Sequence, residues 1–240
     1  MKAVILAAGM GTRLGTLIPK PLTSIIDETT ILDFQVEMLS EALGVDNIIV
    51  VVGYKKELIM EKCPQLAFVY NSAYAQTGTG KSLLLALRKV DEDVIWLNGD
   101  VFFDRQVLDS LFSSEYSCCL VDRKTCGEEE VKYDLKETGF VRNISKSVQN
   151  AKGECLGINI IRRRDLNLFR EELERIDSKA YFEKALENLT VSDRLDLLPI
   201  CVEPYYCREI DYEEDLMDVR EHTRRSCVTR RENASKDEDA

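Results

Sequence analysis

The sequence contains a single histidine, His222, among 240 residues. No Ser-His or Cys-His nucleophile pair can be formed upstream of this residue, so a hydrolase that depends on such a pair is not expected. His222 stands at the start of a charged C-terminal segment, and we expect it to be a solvated surface residue. Any chemistry must therefore be carried by other side chains.

Basic residues are scarce relative to acidic ones: 32 Lys and Arg oppose 43 Asp and Glu, which gives a net charge of −11. This balance disfavours a general nucleic-acid binder, which would present a basic face. It does not exclude an anionic ligand, since that needs only local positive charge and a bound metal. No apolar run approaches the ~18 residues of a membrane span, and Lys2 begins the first strand without a leader pattern. We expect a cytoplasmic protein that binds neither nucleic acid nor membrane.

The eight cysteines include no C-x-x-C pair and so lack the spacing typical of a zinc site. In a chain of this size without a leader, reduced thiols are expected rather than disulfides. The hydrophobic content of 45% and the charged content of 31% are globular values. A length of 240 residues is enough for one α/β domain with a full core.

The N-terminal segment has the pattern of a strand that leads into a phosphate-binding loop. Residues 2–6 predict a short buried strand, because apolar residues follow one another without polar alternation. Small residues at 7–9 and 11 let a backbone come close to a ligand, and free N–H groups in such a turn form an anion site. Arg13 and Lys20 add two cations, and a proline on each side of Lys20 stiffens its segment. We interpret the segment as a grip for a triphosphate.

This loop does not match the dinucleotide-binding fingerprint G-x-G-x-x-G. Gly9 and Gly11 fit the first two glycines of that fingerprint, but Leu14 occupies the position of the third. The next predicted strand, residues 48–52, leads into Gly53 rather than into an acidic residue. We therefore reject a dinucleotide-binding site.

Together, the loop and the proline-flanked lysine resemble the signature of the nucleotidyltransferases that make nucleotide-sugars and CDP-alcohols. The matching residues are Ala7-Ala8-Gly9-x-Gly11-Thr12-Arg13-Leu14, followed by Pro19-Lys20-Pro21-Leu22. The resemblance implies a GT-A or Rossmann-like α/β fold in which the nucleotide contacts Ala7, Ala8, Gly9, Gly11 and Thr12. It also implies that Arg13 and Lys20 are the catalytic cations, which hold the triphosphate and the leaving pyrophosphate.

The order of the predicted elements indicates a mainly parallel mixed sheet with helices on both faces. A helix after a capping box at Thr30–Asp33 and helices at 55–62 and 81–89 alternate with strands at 2–6, 48–52, 66–70 and 94–97. Ligands bind at the carboxyl ends of the strands in such a sheet. Both the glycine loop and the segment Asn98-Gly99-Asp100 lie at such ends.

Beyond residue 119 the pattern changes. A hairpin is predicted from 131–135 and 140–144, followed by a strand at 157–161 and by helices at 166–176, 181–189 and 213–221. We assign residues 1–119 to a nucleotide-binding half and 120–222 to an inserted acceptor-binding half of one domain. Residues 223–240 are rich in charged and small residues and are predicted to be a disordered tail.

A second glycine loop, residues 75–82, follows a predicted strand and opens a helix. It matches a relaxed P-loop with alanine at the first glycine and Lys81 as the phosphate-binding lysine, so a kinase or NTPase is an alternative. Against this, a P-loop usually closes the first strand of its domain, whereas two further predicted strands come earlier here. In the transferases that the chain resembles, the matching segment contacts the base and ribose, which implies this role for Gly78, Thr79, Gly80 and Ser82.

Two carboxylates are candidates for binding a divalent metal. Asp100 ends a predicted strand, and Asp211 precedes the acidic start of the last predicted helix. The residue types alone also fit a turn aspartate and an acidic first helical turn. Mg²⁺ prefers one or two carboxylates together with phosphate oxygens and water. The resemblance implies that Asp100 and Asp211 hold Mg²⁺ and that Asn98 lies beside the nucleotide.

The acceptor half resembles the bacterial phosphocholine and 2-aminoethylphosphonate cytidylyltransferases. The matching segments are Tyr181-Phe182-Glu183 and Glu209-Ile210-Asp211-x-x-x-Asp215-Leu216. The resemblance implies that Lys146 contacts the acceptor phosphate and that Tyr181, Glu183 and Tyr205 bind a cationic group, although aromatics at such spacings more often pack in a core. The tryptophan expected ahead of Glu183 is absent, since the only one is Trp96 in a predicted core strand.

The predicted activity is a Mg²⁺-dependent attack of a phosphorylated or phosphonate acceptor on the α-phosphate of a nucleoside triphosphate, with CTP favoured by the resemblance. A phosphate monoester has a second pKa near ~6, is largely dianionic at neutral pH and needs no histidine to activate it. The alternatives are a sugar-1-phosphate or inositol-1-phosphate acceptor, a kinase that uses Lys81, and a non-catalytic regulator that binds nucleotide. Acceptor identity and the formation of a homodimer are left open by the sequence.

Overall fold

The structure is a computed structural model that describes residues 1–11 and 18–237, with side chains described up to residue 225. In this part of the chain the strands are β1 (Lys2–Ala7), β2 (Ser24–Ile26), β3 (Thr29–Thr30), β4 (Ile48–Val52), β5 (Ala67–Tyr70), β6 (Val94–Asn98), β7 (Val101–Phe103), β8 (Ser117–Asp122), β9 (Lys132–Leu135), β10 (Val141–Ser145), β11 (Gly153–Ile161), β12 (Leu197–Cys201) and β13 (Cys207–Glu209). The helices are α1 (Ile31–Leu43), α2 (Lys56–Lys62), α3 (Thr79–Leu87), α4 (Gln106–Phe112), α5 (Arg163–Arg175), α6 (Glu183–Val191) and α7 (Glu213–Asp237).

A nine-stranded mixed sheet forms the centre of the described chain. Its order is β10-β9-β11-β6-β1-β4-β5, and β8 is hydrogen-bonded to both β11 and β12. The strands β6, β1, β4 and β5 are mutually parallel, whereas β11 runs antiparallel to β6, β8 and β9. The predicted mainly parallel mixed sheet of a single α/β domain is therefore confirmed.

Two hydrophobic cores lie on opposite faces of this sheet. Because successive side chains of a strand point to opposite faces, Val4 and Leu6 of β1 pack under α3, α5 and α6, whereas Ile5 packs under α1, α2 and α4. Trp96 is fully buried in the first core, where it stacks on Phe169 with a centroid distance of 5.3 Å. Because helices pack on both faces in the described part of the chain, we expect a ligand at the strand ends.

The elements predicted from strong local patterns are present. The capping box before α1 is formed, since the Thr30 Oγ1 accepts from the Asp33 backbone N at 3.2 Å and the Asp33 Oδ2 accepts from the Thr30 N at 2.9 Å. The hairpin β9–β10 is antiparallel as predicted. The elements that the pattern does not predict are β2, β3, β7, α4, β8, β12 and β13, and four of these strands have only two or three residues, too few for a periodic signal.

The C-terminal helix α7 is longer than the sequence predicts. The predicted end at Glu221 is wrong, because the helix continues to Asp237. The boundary expected between the domain and a tail, at residue 222, therefore falls inside α7. Within the described residues, α7 and the other helices lack the combination of length and apolar composition needed to cross a bilayer.

His222 is packed against the domain, and the expectation of a solvated surface residue is wrong. Its ring stacks on Tyr206 with a centroid distance of 4.0 Å and an interplanar angle of 10°. Its Nε2 lies 2.8 Å from the Asp104 Oδ1. The histidine thus joins α7 to the turn after β7.

Two pairings bring the predicted site residues to one edge of the sheet. In the parallel pairing of β1 with β6, Leu6 is in register with Asn98, so both strands end at the same level. The antiparallel pairing of β7 with β13 then places the segment after Glu209 beside Asp100, and the Ile210 N donates to the Asp100 carbonyl at 2.9 Å. This short β7–β13 ribbon is what carries the second acidic cluster to the first.

Candidate active site

Three charged side chains from distant parts of the chain meet at the carboxyl ends of β1 and β6. The Lys20 Nζ donates to the Asp100 Oδ2 at 2.6 Å and to the Asp211 Oδ1 at 2.7 Å. Lys20 is only 8% exposed, because the chain folds over its stem while its ammonium points into the cleft between the two carboxylates. The cation and the two carboxylates selected from the sequence are therefore in direct contact.

Two glycines allow the close approach that this cluster requires. Gly11 has a φ of +58°, and a Cβ there would lie 2.7 Å from the Lys20 Cβ, so a side chain at this position would displace the lysine. A Cβ on Gly99 would lie 2.8 Å from the Leu6 carbonyl oxygen and 2.9 Å from the Pro21 Cγ. The absence of a side chain at Gly11 and Gly99 lets the segment around Lys20 pack onto the ends of β1 and β6.

The Lys20 ammonium is held in its charged form. Burial lowers the pKa of Lys20, but the ion pairs and hydrogen bonds with Asp100 and Asp211 outweigh burial, and the net pKa lies above the ordinary value for lysine. A permanent positive charge at this position suits a ligand with several negative charges, such as a triphosphate.

The two aspartates also fit the ligand preferences of Mg²⁺. The Asp100 Oδ1 is buried and accepts no hydrogen bond from any residue in the described part of the chain. A buried carboxylate oxygen without a donor is unfavourable, and a divalent cation would satisfy it. The described residues form no cluster of three or more His, Cys, Asp or Glu around one metal position. Asp100 and Asp211 would therefore supply two ligands, and phosphate oxygens and water the rest, which is the usual arrangement for Mg²⁺.

The cleft around these residues has a volume of about 660 Å³. Its described lining includes the carboxylates of Asp100, Glu129, Glu130, Glu154, Glu183, Glu209, Asp211 and Asp215. The described cations of the lining are Lys20, Lys124, Lys146 and Arg208. Because acidic groups outnumber basic ones, this lining favours ligands that bring positive charge, as a metal ion or as a cationic group.

Three of the described cleft carboxyls, those of Glu154, Glu183 and Glu209, have a raised pKa, and burial is the largest cause for each. Burial raises the pKa of Glu183 to about 7. Burial together with the nearby Asp100 carboxylate raises the pKa of Glu209 to about 8, although Glu209 Oε1 accepts from the Asn98 Nδ2 at 3.2 Å. The Glu183 Oε2 is buried and has no donor among the described residues. A donor or cation from a ligand would satisfy this oxygen.

Most of the predicted site residues line the cleft: Ala7, Gly9, Gly11, Lys20, Thr79, Asn98, Asp100, Lys146, Tyr181, Glu183 and Asp211. Five predicted residues do not line it: Ala8, Gly78, Gly80, Ser82 and Tyr205. Thr12 and Arg13 lie outside the described residues. The ligand contacts predicted for the cleft-lining residues and for Thr12 and Arg13 stay predictions. The sequence pattern at the residues that do not line the cleft needs another explanation.

The glycines at 78 and 80 accommodate neighbouring backbone. The Gly78 N donates to the Ser178 carbonyl at 2.8 Å, and a Cβ on Gly78 would lie 2.3 Å from the Ala180 carbonyl oxygen. Ser82 is buried, and its Oγ accepts from the Asn71 Nδ2 at 2.9 Å. The loop pattern therefore reports the close packing of two chain segments at these positions, and only Thr79 of the four reaches the cleft.

The P-loop interpretation of Lys81 is wrong. The Lys81 Nζ donates to three backbone carbonyls at the C-terminal end of α5, those of Leu173 at 2.7 Å and of Glu174 and Ile176 at 3.0 Å each. A lysine in this position satisfies terminal carbonyls and interacts favourably with the helix dipole. It is therefore a helix-capping residue.

Sequence reasoning missed several charged residues of the cleft, among them Glu130, Glu154, Lys124 and Arg208. The run Glu128-Glu129-Glu130 was a signal that could have pointed to this region, because three adjacent acids stand just before the predicted hairpin. Lys124, two residues beyond the end of β8, pairs at 2.6 Å with Glu154 of β11, and nothing in the local sequence predicts their contact.

The sequence profile of the MobA-like NTP transferase domain matches residues 3–165 of this chain. The bifunctional protein GlmU of Methanococcus maripaludis (strain C7) is 31% identical over 167 residues, which cover 67% of this chain and 38% of that protein. CMP-5′-(3-aminopropyl)phosphonate synthase of Streptomyces rubellomurinus is 35% identical over 120 residues, which cover 46% of this chain and 19% of that protein. The chain thus spans less than half the length of these curated relatives.

Among solved structures, the CTP:phosphocholine cytidylyltransferase LicC from Streptococcus pneumoniae is similar to this chain with a TM-score of 0.76 and 22% identity. The similarity covers 92% of this chain and 98% of that one. It confirms the nucleotidyltransferase-type α/β fold expected from the glycine loop and the strand order. Since the matching profile covers more than half of its residues, the chain belongs to the MobA-like NTP transferase domain family.

Proposed function

We propose that this chain is a Mg²⁺-dependent nucleotidyltransferase. An oxygen of the acceptor's phosphate or phosphonate attacks the α-phosphorus of a nucleoside triphosphate, and the bond from that phosphorus to the bridging oxygen breaks as pyrophosphate leaves. No proton has to move, because the attacking group is already anionic at neutral pH. The observation that carries this proposal is the convergence of Lys20, Asp100 and Asp211 in one cleft.

The protein's task in such a transfer is to position the reactants and to neutralise charge. We assign Lys20, which lines the cleft, to the phosphate oxygens of the nucleotide and of the departing pyrophosphate. Asp100 and Asp211 would hold Mg²⁺, which stabilises the negative charge of the phosphoryl group during transfer when it is bound. Arg13, outside the described residues, is assigned a second contact with the triphosphate on the basis of the loop motif.

CTP is the proposed nucleotide. The name of the aminopropylphosphonate synthase specifies a CMP product, and the solved structure with the same fold is named as a CTP-dependent enzyme. In this chain, Ala7, Gly9 and Thr79 line the part of the cleft nearest to the ends of β1 and the start of α3, where the nucleotide is expected.

For the acceptor we propose a small phosphate or phosphonate that carries a cationic group. Lys146 lines the cleft with its Nζ 3.1 Å from the Glu129 Oε2, and it would contact the acceptor's anionic end. The buried Glu183 Oε2, which has no donor among the described residues, would face the cationic end. Tyr181 lines the same cleft and is 56% exposed, whereas Trp96 is buried in the core and takes no part.

A sugar-1-phosphate or inositol-1-phosphate acceptor is the second candidate. Two further side-chain oxygens of cleft-lining residues, the Asn98 Oδ1 and the Glu130 Oε2, are buried and accept no hydrogen bond from the described residues. Hydroxyl groups of a sugar or cyclitol would donate to such oxygens. The two acceptor classes differ in whether they bring a positive charge into a cleft that is rich in carboxylates.

The test is to identify the phosphorus-containing products by ³¹P NMR after incubation with Mg²⁺, each nucleoside triphosphate and a panel of acceptors. The panel contains 2-aminoethylphosphonate, phosphocholine, inositol-1-phosphate and glucose-1-phosphate. We expect pyrophosphate only when a triphosphate and an acceptor are both present. Release of nucleoside diphosphate would contradict the proposal in favour of a kinase, and tight nucleotide binding without any product would contradict it in favour of a regulator.

A Lys20→Ala variant tests the role assigned to Lys20. Losing one well-placed charged donor lowers turnover by about 10²- to 10³-fold in comparable oxyanion sites. We expect at least this loss with the fold retained, as judged by circular dichroism. Near wild-type turnover in the folded variant would reject the role of Lys20.

A further inference from the structure

We propose that Asp215 is a positioning residue that fixes the Asp211 carboxylate, and that Arg208 fixes Asp215 in turn. The proposal rests on the proposed function, because it assumes that Asp211 is a metal ligand. It adds two residues of the cleft lining whose roles neither the sequence motif nor the comparisons specify.

The Asp215 carboxylate is fully engaged on both sides. Its Oδ2 accepts from the backbone N of Asp211 at 3.0 Å and of Tyr212 at 2.8 Å. Its Oδ1 accepts from the Arg208 Nε at 3.0 Å and Nη2 at 2.8 Å. The Asp215 side chain is 14% exposed, although that of Arg208 is 39% exposed, so the carboxylate is largely shielded from water, which strengthens its charge-assisted contacts.

Asp211 lies in a short irregular connection between β13 and α7, where regular structure does not fix its backbone. Upstream, this connection is anchored by the bond from the Ile210 N to the Asp100 carbonyl, 2.9 Å. Downstream, the Asp215 carboxylate supplies the anchor. A displacement of about 1 Å at a reacting centre can lower a rate by ~10²-fold, so the second anchor matters for a metal shared between Asp100 and Asp211.

A purely structural role is the competing explanation. An acidic residue in the first turn of a helix that reaches back to the N–H groups ahead of it is a common capping arrangement and stabilises the helix. Such a role predicts lower stability without a change in metal dependence. The positioning role predicts weaker metal binding, because the carboxylate that binds the metal is no longer held beside Asp100.

The experiment uses the full chain, with Mn²⁺ as the probe for the metal site. Binding is followed by the EPR signal of free Mn²⁺ without nucleotide, because CTP itself binds Mn²⁺, and turnover is followed by pyrophosphate release over a range of Mn²⁺ concentrations. For Asp215→Asn we expect the half-saturating Mn²⁺ concentration to rise at least tenfold by both measures. High Mn²⁺ should restore turnover in this variant, whereas it should not do so in Asp211→Asn, which lacks the ligand itself.

Glu214→Gln is the matched control. Glu214 is an exposed acid in the same first turn of α7, so its change removes the same charge near the helix start. We expect its Mn²⁺ dependence to stay within about twofold of wild type. A Mn²⁺ dependence of Asp215→Asn that equals that of Glu214→Gln, or a loss of turnover that Mn²⁺ cannot restore in the folded protein, would overturn the proposal.

Arg208→Gln keeps the test decisive if Asp215→Asn does not fold. This change leaves the Asp215 carboxylate in place and removes only its lateral support, so we expect a smaller shift of Mn²⁺ dependence in the same direction. An unchanged Mn²⁺ dependence in folded Arg208→Gln would count against the proposal. If wild type releases no pyrophosphate with any acceptor, the proposed function fails, and Mn²⁺ binding by EPR still tests the positioning role separately.

Discussion

Replacing Lys20 by methionine should strengthen divalent-metal binding to the free protein while it removes most of the turnover. In the structure the Lys20 ammonium lies between the carboxylates of Asp100 and Asp211, at 2.6 and 2.7 Å. A metal ion that uses these carboxylates must displace the ammonium. Methionine keeps a long apolar stem in the nearly buried position but cannot compete for the carboxylate oxygens.

The expected size of this effect follows from the two contacts. A hydrogen bond to a charged group contributes about 1.5–3 kcal/mol. If the metal has to replace one of these bonds, its removal in advance is worth about 1.5–3 kcal/mol, which corresponds to roughly 10- to 100-fold tighter binding. Turnover should change in the opposite direction, with a loss of at least about 10²-fold.

The assay is a titration of the free protein with Mn²⁺, without nucleotide, followed by EPR. Lys124→Met is the matched control, because Lys124 also lines the cleft but pairs with Glu154 at 2.6 Å instead of with the aspartates. It removes the same charge from the same cleft, and its effect should stay within about threefold. Unchanged or weaker Mn²⁺ binding by Lys20→Met would refute the reasoning, as would an equal gain in both variants.

Three further predictions concern the rest of the site and its support. Lys81→Met should leave turnover within about threefold of wild type and lower the melting temperature, because Lys81 caps a helix; a loss of several orders of magnitude in turnover would contradict this. Burial raises the pKa of Glu183 to about 7, above its ordinary value of 4.5, so the folded protein loses stability as pH rises from 4.5 through 7. Glu183→Gln should therefore raise the melting temperature relative to wild type more at pH 8 than at pH 5. A difference in melting temperature that does not grow with pH would contradict this prediction. Gly157→Ala should lower both stability and turnover, because the φ of Gly157 is +66° and its Cβ would lie 2.5 Å from the Glu209 Oε1 in the cleft. Gly139→Ala, with a φ of +87° and open space around it, should lower stability alone. Equal turnover of the two folded variants would contradict the expectation that displacing Glu209 impairs turnover.

The parts of the site that the sequence predicts are those encoded by short local patterns. A buried strand followed by small residues identifies the loop at residues 7–11, and an apolar strand that ends in Gly-Asp identifies Asp100. Parallel strands end at the same edge of a sheet, so the meeting of these two segments follows from the element order. The capping box before α1 is equally local, and it is formed as predicted.

The parts that the sequence does not predict depend on contacts between distant segments. Asp211 reaches Asp100 through the three-residue strands β7 and β13, which are too short to give a periodic signal. Gly78 shows a second limit of prediction from sequence. A glycine pattern indicates that another group comes close to the backbone, but it does not indicate which group. At this position the neighbour is the backbone of residues 178–180.

The two ion pairs of Lys20 join positions that are 80 and 191 residues apart along the chain. Closing loops of this length costs more chain entropy than closing short ones, so we expect these contacts to form after the local ones. During synthesis, the glycine loop and Asp100 leave the ribosome long before Asp211 does. Until the β7–β13 ribbon is made, Lys20 lacks the counter-charge of Asp211, so the candidate site is completed only after residue 211 has been translated.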